Sequence, residues 1–505
     1  MVSDNVFDVI VIGGGSAGCV LAARLSEDPE CRVLLLEAGP DPQPLPDMIA
    51  DGTKGNSAIL ETDYTIMYPT KRDFDGSIYY PLAGRIMGGG SSVNMMGYVR
   101  PTQYDLDTWE SLGNLGWSYE NCLPYLIGME TDENFGHTPS HGNSGPINVT
   151  RRFSVDAPRS GMIEAVVDRA IEIGLPLTAD TNIPNPPEGI GASISNVKDG
   201  LRQSMAVAYL DPARSRENLT IIPDALVYNL KVAGHRIEEV SYMREGRLLH
   251  AFGDQFVLTA GVYHSPQILQ LSGVGPSQEL ERLGINPLID LPGVGKNYQD
   301  HANVTMTFEG PSADFQPEWI IPGFNLRYKS DSSLPNADFH IYMRAPILVE
   351  GLKPMMPVVL NLIENRNRGS ITLASTNPND LPVINDAMLT HPSDLSAMLN
   401  AMKFIENFIL HDTLSEYYGR LILPNPTEDW SEFALSTYDS YHHGVGTCMM
   451  GPSSNDMAVV DPALKVYGLD NLFVGDASIM PTVTHANTNV AVIMIAERLA
   501  TFLRK

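Results

Sequence analysis

The sequence predicts an α/β fold in which a parallel sheet begins near the N-terminus. Residues 7–12 form an apolar run rich in Val and Ile that ends at a glycine, and residues 17–25 then show the helical spacing of small and apolar side chains. Residues 31–36 form a second apolar run. Strand, helix and strand therefore complete one βαβ unit of about 30 residues.

The middle of the chain has a different pattern, which predicts an α+β region with an antiparallel sheet. Residues 337–343, 358–363 and 369–373 alternate as strands do, and residues 393–410 then have helical spacing. Short alternating segments over residues 221–256 indicate a further small antiparallel sheet. A change of architecture along the chain follows from these patterns.

Composition limits the classes of protein that the chain can be. Of its 505 residues, 43% are hydrophobic and 18% are charged, which is typical of a globular enzyme. The formal net charge of -27 repels a phosphate backbone, so nucleic acid is not expected as a partner. The acidic surface is compatible with a cationic substrate, but it does not locate charge inside a pocket.

The N-terminus, the apolar runs and the cysteines predict a cytoplasmic protein without a membrane span. The first residues lack the basic flank and cleavage site of a signal peptide. The longest apolar runs fall far short of the about 20 residues that a membrane-spanning helix needs. Because the four cysteines are scattered and form no zinc-like spacing, we expect reduced thiols and no metal.

A glycine-rich turn between the first strand and the first helix predicts a dinucleotide site. Residues 13–18 read Gly-Gly-Gly-Ser-Ala-Gly and fit G-x-G-x-x-G, after a strand and at the opening of a helix. Gly13 permits the tight turn, Gly15 lets the backbone approach a pyrophosphate, and Gly18 allows close helix packing. The free N–H groups of the helix N-terminus attract the anion.

An acidic residue at the end of the second strand supports the same site. Glu37 stands about 20 residues beyond Gly18, where an acid accepts a hydrogen bond from a ribose hydroxyl. An acid here disfavours NADP. The motif and the acid together do not choose between NAD and FAD.

Longer motifs make that choice. Residues 84–100 read Gly-Arg-Ile-Met-Gly-Gly-Gly-Ser-Ser-Val-Asn-Met-Met-Gly-Tyr-Val-Arg, and this segment resembles the first signature of the glucose-methanol-choline (GMC) flavoenzymes. Residues 261–276 resemble the second signature, and residues 297–301 and 471–478 resemble further blocks of that family. The resemblance is weakest over residues 308–437. It implies FAD, and because the first signature contains no histidine, we expect FAD without a covalent bond to the protein.

The resemblance also implies which residues contact FAD. Val227 is expected to offer its backbone to the adenine, and Ala260 and Gly261 to lie near the ADP part. Asp476 and Ala477 are expected to contact the ribityl chain and the pyrophosphate. With the motif residues, the expected cofactor-binding set is Gly13, Gly15, Ser16, Ala17, Glu37, Ala38, Arg85, Gly90, Asn94, Met95, Val227, Ala260, Gly261, Asp476, Ala477 and Thr488.

The family organisation implies a Rossmann-like FAD-binding domain and a discontinuous α+β substrate-binding domain with an antiparallel sheet. Apolar character with glycines resumes near residue 444, and a final helix is predicted over residues 490–503. The last segment is therefore expected to rejoin the first domain. The predicted boundaries are 1–155, 190–305 and 440–505 for the FAD-binding domain, and 156–189 and 306–439 for the substrate-binding domain.

A histidine and an asparagine are the predicted catalytic pair. Residues 441–451 resemble the family block whose histidine stands three residues before a Gly-Thr pair, which selects His443. The second active-site position of the family falls on Asn487, where members carry His or Asn. Removal of a hydride from a carbinol carbon is easier once the hydroxyl proton leaves, and neutral imidazole is a suitable base. We expect His443 to take the proton and Asn487 to hold the substrate oxygen while flavin N5 takes the hydride.

Two further histidines and four methionines are the other candidates for this site. If the segment is extended, His442 and His443 point to opposite faces, so both cannot face the flavin. His485 is a candidate third polar group. The methionines expected to pack rather than bind substrate are Met95, Met96, Met449 and Met450.

The predicted function is oxidation of an alcohol, with a small primary alcohol as substrate and oxygen or another acceptor taking the electrons. Two alternatives stay open at this point. One is a hydroxynitrile-type lyase on the same fold, in which the flavin takes no part, and the other is a non-catalytic flavin-binding protein. An alcohol that bleaches the flavin would favour oxidation, whereas cyanide release without bleaching would favour the lyase.

Overall fold

Two large sheets, each with its own apolar core, organise the protein. The structure is a computed structural model that describes residues 6–53, 62–151, 154, 161–311 and 323–504. Within these ranges no helix is both long and apolar enough to cross a membrane. All four cysteines lie within these ranges and are thiols rather than halves of disulfide bonds.

The first sheet contains the predicted βαβ unit. Strands Val6–Ile12 and Val33–Leu36 pair in parallel, with Val9 opposite Val33, and helix Ser16–Leu25 connects them. Both strands are apolar along their buried length because a parallel sheet is covered on both faces. The spatial order is Leu219–Ile222, Val33–Leu36, Val6–Ile12, Arg247–Leu258, Arg236–Arg244 and Leu226–Ala233, and Leu472–Val474 also pairs with Arg247–Leu258. The α/β prediction is confirmed.

One long strand, Arg247–Leu258, joins the parallel and antiparallel parts of this sheet. Its first half is antiparallel to Arg236–Arg244, as the alternation over residues 221–256 predicts. Its second half is parallel to Val6–Ile12. Strand Leu472–Val474 and helix Thr488–Leu503 share this core, so the C-terminal segment rejoins the first domain as expected.

The second sheet is antiparallel over most of its width, as predicted. Its order is Leu421–Leu423, Ala302–Glu309, Met355–Leu362, Phe339–Met343, Phe324–Tyr328, Gly189–Ala192 and Leu177–Thr178, and Asp439–Ser440 also pairs with Ala302–Glu309. One face packs on helices Gly161–Glu172 and Pro392–Ile409 through residues such as Phe308 and Leu326. The opposite face carries polar side chains, because successive residues of a strand point to opposite sides. The predicted strand 369–373 is Gly369–Thr372, which lies in a separate three-stranded sheet.

The remaining elements are shorter or connect the two sheets. The other helices are Asp47–Ala50, Gly90–Val93, Gln103–Ser111, Tyr119–Gly128, the π-helix Ala206–Leu210, Asp211–Ala213, Gly261–Leu271, Ser277–Arg282, Trp430–Thr437 and the 3-10 helices Asp412–Leu414 and Ala477–Ile479. The other strands are Thr65–Met67, Thr70–Lys71, Ile78–Tyr79, Leu82–Gly84, Glu130–Asp132, Ile147–Arg151, Ile194–Ser195, Val197–Lys198, Leu201–Arg202, Val274–Gly275, Ile289–Asp290, Lys296–Tyr298, Gly369–Thr372 and Val383–Asn385. The segment 41–80, which is rich in Pro, Asp and Gly, contains short strands after residue 64, and its residues 54–61 lie outside the described ranges.

Strand pairing bears on the edges of the predicted domains. Gly189–Ala192 pairs with Phe324–Tyr328, and Ala302–Glu309 pairs with Met355–Leu362, so both belong to the second sheet although the prediction placed most of Gly189–Ala192 in the first domain. A two-glycine strand has too few side chains to reveal its partner from sequence. The boundaries as a whole stay a prediction.

Candidate active site

The glycine-rich turn after Val6–Ile12 has the geometry of an anion-binding loop. Gly13 has a φ of +108°, and a Cβ there would lie 2.6 Å from the carbonyl oxygen of Thr259. A Cβ at Gly18 would lie 1.9 Å from the Gly13 carbonyl oxygen, so this position needs glycine for close packing. Helix Ser16–Leu25 begins without a side-chain cap, which leaves N–H groups of its first turn available to a phosphate.

Glu37 holds this loop in shape. Its Oε2 accepts a hydrogen bond from the Gly14 N–H at 2.6 Å, and its Oε1 accepts one from the Gly39 N–H at 2.7 Å. Burial raises the pKa of Glu37 to about 7, against the opposing effect of these two hydrogen bonds. Glu37 also lines the large cavity that begins at this loop.

A cavity of about 850 Å³ extends from the glycine-rich turn to the polar face of the second sheet. All of the expected cofactor-binding residues line it, and so do His443 and Asn487. A Cβ at Gly90 or Gly261 would meet no atom within 4 Å, so the backbone at both positions is open to a ligand. The cavity fits a dinucleotide whose diphosphate lies at Ser16–Leu25, although the individual contacts stay a prediction.

His443 and Asn487 lie together, as the catalytic prediction requires. Asn487 Nδ2 is 3.1 Å from His443 Nε2, and Asn487 precedes helix Thr488–Leu503 as its N-cap. The Oδ1 atom of Asn487 is buried and has no hydrogen-bond partner among the described residues. A buried polar atom without a partner is costly, so this atom points to a ligand in the cavity.

Residues at the end of strand Lys296–Tyr298 support His443 from behind. Asp300 Oδ1 accepts a hydrogen bond from the His443 backbone N–H at 2.9 Å, and its Oδ2 accepts one from the Ser440 hydroxyl at 2.5 Å. His301 Nδ1 lies 2.9 Å from His443 Nδ1. We assign the proton of this contact to His443 Nδ1, because that tautomer leaves Nε2 as the basic atom on the Asn487 side.

The surroundings keep His443 neutral. Burial lowers its pKa well below the usual value, and the neighbouring His301 and His442 lower it further. The ring of Tyr441 packs edge-on against it, with 4.2 Å between centroids. A neutral imidazole whose Nε2 carries a lone pair on the side of Asn487 can accept a proton.

His442 lines the same cavity as His443, which an extended segment would not allow. The segment is not extended at this point, because His442 has a φ of 62°, and both histidines line the cavity. The condition for opposite faces is therefore not met. His442 Nδ1 lies 3.4 Å from the Leu82 N–H, and burial together with the charge of Arg344 lowers its pKa to about 4.

His485 does not line the cavity and forms an ion pair instead. Its Nδ1 is 2.6 Å from Asp105 Oδ1, and its Nε2 is 3.4 Å from Glu364 Oε2. Burial would lower the pKa of His485, but the two carboxylates raise it to about 9. Of the four methionines, Met96 and Met450 are buried, whereas Met95 is 46% exposed and lines the cavity.

Local sequence patterns did not identify the residues at the substrate end of the cavity. These residues are Asn325, Tyr342, Arg344, Val359, Asn361 and Tyr441. Asn325 lies opposite Tyr342 on the polar face of the second sheet, as the register of their two strands requires. Alternation within the predicted strands 337–343 and 358–363 could have placed Tyr342 and Asn361 on one face. Asn325 and Arg344 lie outside those predicted runs.

The fold and the site define a dinucleotide-dependent oxidoreductase with a substrate sheet facing the cofactor cavity. Family models described as GMC oxidoreductase match residues 7–303 and 365–496. The chain belongs to the GMC oxidoreductase family. It is an FAD-dependent oxidoreductase that acts on CH–OH groups.

Curated relatives and a solved structure agree with this assignment over almost the whole chain. Human mitochondrial choline dehydrogenase is 33% identical over 99% of this chain and 90% of its own length. The oxygen-dependent choline dehydrogenase of Staphylococcus xylosus is 33% identical over 99% of this chain and 95% of its own. The crystal structure of pyridoxine 4-oxidase from Mesorbium loti superposes with a TM-score of 0.90 at 29% identity, covering 98% of both chains. None of these relatives supports the lyase alternative.

Proposed function

We propose that this enzyme oxidises a primary alcohol to the carbonyl compound, with His443 as the base and Asn487 as the group that holds the substrate oxygen. The observation that carries this proposal is the juxtaposition of His443 Nε2 with Asn487, 3.1 Å away, at the wall of the cavity that the glycine-rich loops open. The unpartnered Oδ1 of Asn487 supports a ligand at the same place.

The chemistry of these two side chains follows from their protonation and position. His443 Nε2 accepts the hydroxyl proton of the alcohol, because burial keeps the imidazole neutral. Asn487 donates from Nδ2 to the substrate oxygen and so fixes which carbon–hydrogen bond faces the cofactor. FAD, when bound, supplies the hydride acceptor. His301 and Asp300 fix the His443 ring and its backbone.

Cofactor attachment and cellular location are further parts of this proposal. We infer that FAD dissociates reversibly, since residues 84–100, the segment that resembles the first family signature, contain no histidine. The thiol form of all four cysteines, rather than disulfide bonds, supports a cytoplasmic location. Oxygen or another acceptor reoxidises the cofactor, and nucleic acid is not expected to bind because of the net charge of -27.

The test is anaerobic reduction of the bound flavin by a panel of primary alcohols, read as loss of the visible flavin absorbance. We expect at least one primary alcohol to bleach the flavin and to yield the corresponding aldehyde. Admission of air then separates the two acceptor types, because rapid recolouring identifies an oxidase and slow recolouring a dehydrogenase. If no alcohol in the panel bleached the flavin while a hydroxynitrile released cyanide, the proposal would be wrong.

A further inference from the structure

The substrate end of the cavity has an electrostatic character of its own. The charged residues that line the cavity are Glu37, Arg85, Arg344, Asp380 and Asp476. Glu37, Arg85 and Asp476 belong to the predicted cofactor set. Asp380 lies at the other end of the cavity, where its backbone carbonyl accepts a hydrogen bond from Gln267 of helix Gly261–Leu271. Arg344 is therefore the charged lining residue, within the described ranges, at the end where the alcohol would bind.

Arg344 is placed to contact a substrate that sits at His443. It directly follows strand Phe339–Met343 and lies on the same face as Tyr342, two residues earlier, which also lines the cavity. The charge of Arg344 acts on both His442 and Tyr441, so the guanidinium lies within electrostatic range of the site. Its side chain makes no ion pair with any described residue and is exposed at the cavity rim.

A second cation lies beneath the same sheet face. Arg327 is 1% exposed, and its Nη1 contacts His340 Nε2 at 2.8 Å. Its Nε and Nη2 atoms have no hydrogen-bond partner within the described part of the chain, and no carboxylate there pairs with it. Burial lowers the pKa of Arg327 to about 10 while the charge of Asp105 acts in the opposite direction, so the guanidinium stays protonated near neutral pH behind the cavity wall.

Among the described residues, no carboxylate lines the substrate end of the cavity, and the nearest ones make contacts elsewhere. Asp300 accepts from Ser440 and from the His443 backbone. Asp105 and Glu364 hold His485, whose pKa they raise to about 9. Arg344 is therefore the charged side chain that a substrate would meet in the described wall of this end, although the net charge of the whole chain is -27.

From this arrangement we propose that the alcohol oxidised by this enzyme carries an anionic group, such as a carboxylate, which Arg344 binds. The proposal rests on the proposed function, because it names the substrate class of the same site. Asn325 and Asn361 extend the fit, since each lines the cavity with a buried Oδ1 that lacks a partner among the described residues and can accept from further hydroxyl or N–H groups. A quaternary ammonium alcohol such as choline meets a cation at this end and no carboxylate among the described residues that line it.

The test compares alcohols that share a shape and differ in charge. Anaerobic flavin reduction is measured on the holoenzyme with hydroxymethylbenzoate, benzyl alcohol and aminomethylbenzyl alcohol, and with hydroxybutyrate, butanol and choline. In each set we expect the anionic alcohol to have the lowest half-saturating concentration. Arg344→Gln should raise that concentration for the anionic alcohol by about tenfold or more, with little change for the neutral one, because a charge-assisted contact is lost.

Two further variants make the outcome decisive. Arg344→Glu should reverse the preference toward the cationic alcohols. Arg420→Gln removes an arginine that is 75% exposed and does not line the cavity, so it should leave every value unchanged. If Arg344→Gln behaved like Arg420→Gln, or if choline bound best to the wild-type enzyme, the anionic substrate class would be overturned while alcohol oxidation stood. Failure of every alcohol, whatever its charge, would instead refute the proposed function.

Discussion

Asn487 Nδ2 lies 3.1 Å from His443 Nε2, and the opposite nitrogen of the same imidazole, Nδ1, lies 2.9 Å from His301 Nδ1. The His443 ring is thus held between two polar groups in a buried site. One nitrogen is used for orientation, and the other faces the amide that is proposed to hold the substrate oxygen. This arrangement couples the position of the base to the position of the substrate.

Replacement of Asn487 tests the positioning half of this arrangement. We expect Asn487→Ala to slow anaerobic flavin reduction by about 10- to 100-fold, because a misplaced substrate oxygen no longer lies at the base. Asn487→His should retain more of the rate, since imidazole N–H can replace the amide donor. Stopped-flow reduction rates at saturating alcohol measure this effect. Equal rates in Asn487→Ala and the wild type would remove Asn487 from the mechanism.

The protonation of His443 predicts the pH profile of flavin reduction. Burial, and then the neighbouring His301 and His442, lower the pKa of His443, so the basic form persists at pH values below its usual pKa of about 6.5. Tyr441 and Asp300 are the other titratable groups that face the ring or its backbone. Second-order rate constants for reduction should therefore be flat from about pH 6.5 to pH 8 and fall only at lower pH. A rise through pH 7 to 8 would contradict a neutral His443.

The His485 ion pair predicts a pH-dependent contribution to stability. Because the pKa of His485 is raised to about 9 in the folded protein, its stabilisation is complete below the unfolded value of about 6.5 and is lost as pH rises through about 9. His485→Gln should lower the thermal midpoint at about pH 6, and the difference from wild type should shrink at about pH 9.5. The same measurement on His250→Gln, an exposed histidine, provides the control. A difference independent of pH would show that packing, not charge, is the role of His485.

Gly15 tests the dinucleotide loop without disturbing the fold. A Cβ at this position would lie 3.9 Å from the nearest protein atom, so alanine fits the protein itself. We expect Gly15→Ala to weaken FAD binding by roughly tenfold, because the methyl group occupies the path of the pyrophosphate toward the backbone. Flavin content of the purified protein and titration of the apoprotein with FAD measure the effect. Gly128→Ala, where a Cβ would meet no atom within 4 Å and no cofactor is expected, should bind FAD as the wild type does.

The dinucleotide half of the molecule was predictable because its signals are local. Apolar strands, a glycine turn and a helix follow one another within the first 36 residues, and their order fixes the parallel pairing of Val6–Ile12 with Val33–Leu36. Family resemblance then named His443 and Asn487, which the fold brings together from positions 44 residues apart.

The remainder depends on contacts between distant segments, which local patterns do not record. Asp105, the partner of His485, lies 380 residues away in the sequence. The left-handed conformation of His442 has only a weak local signal, because positive φ is uncommon for any residue other than glycine even though histidine adopts it more often than most. Likewise, Arg344 lines the cavity only because the strand before it, Phe339–Met343, pairs into the second sheet. The polar face of that sheet is turned toward His443.

Substitution of His443 tests the central claim most directly. The measurement is the rate of anaerobic flavin reduction by a substrate alcohol in His443→Ala, compared with His250→Ala as a matched surface control. We expect His443→Ala to retain FAD and to lose about a hundred- to ten-thousand-fold in rate, the range that a general base contributes, while His250→Ala reduces its flavin normally. Reduction of the flavin in His443→Ala at the wild-type rate would contradict the assignment of His443 as the base.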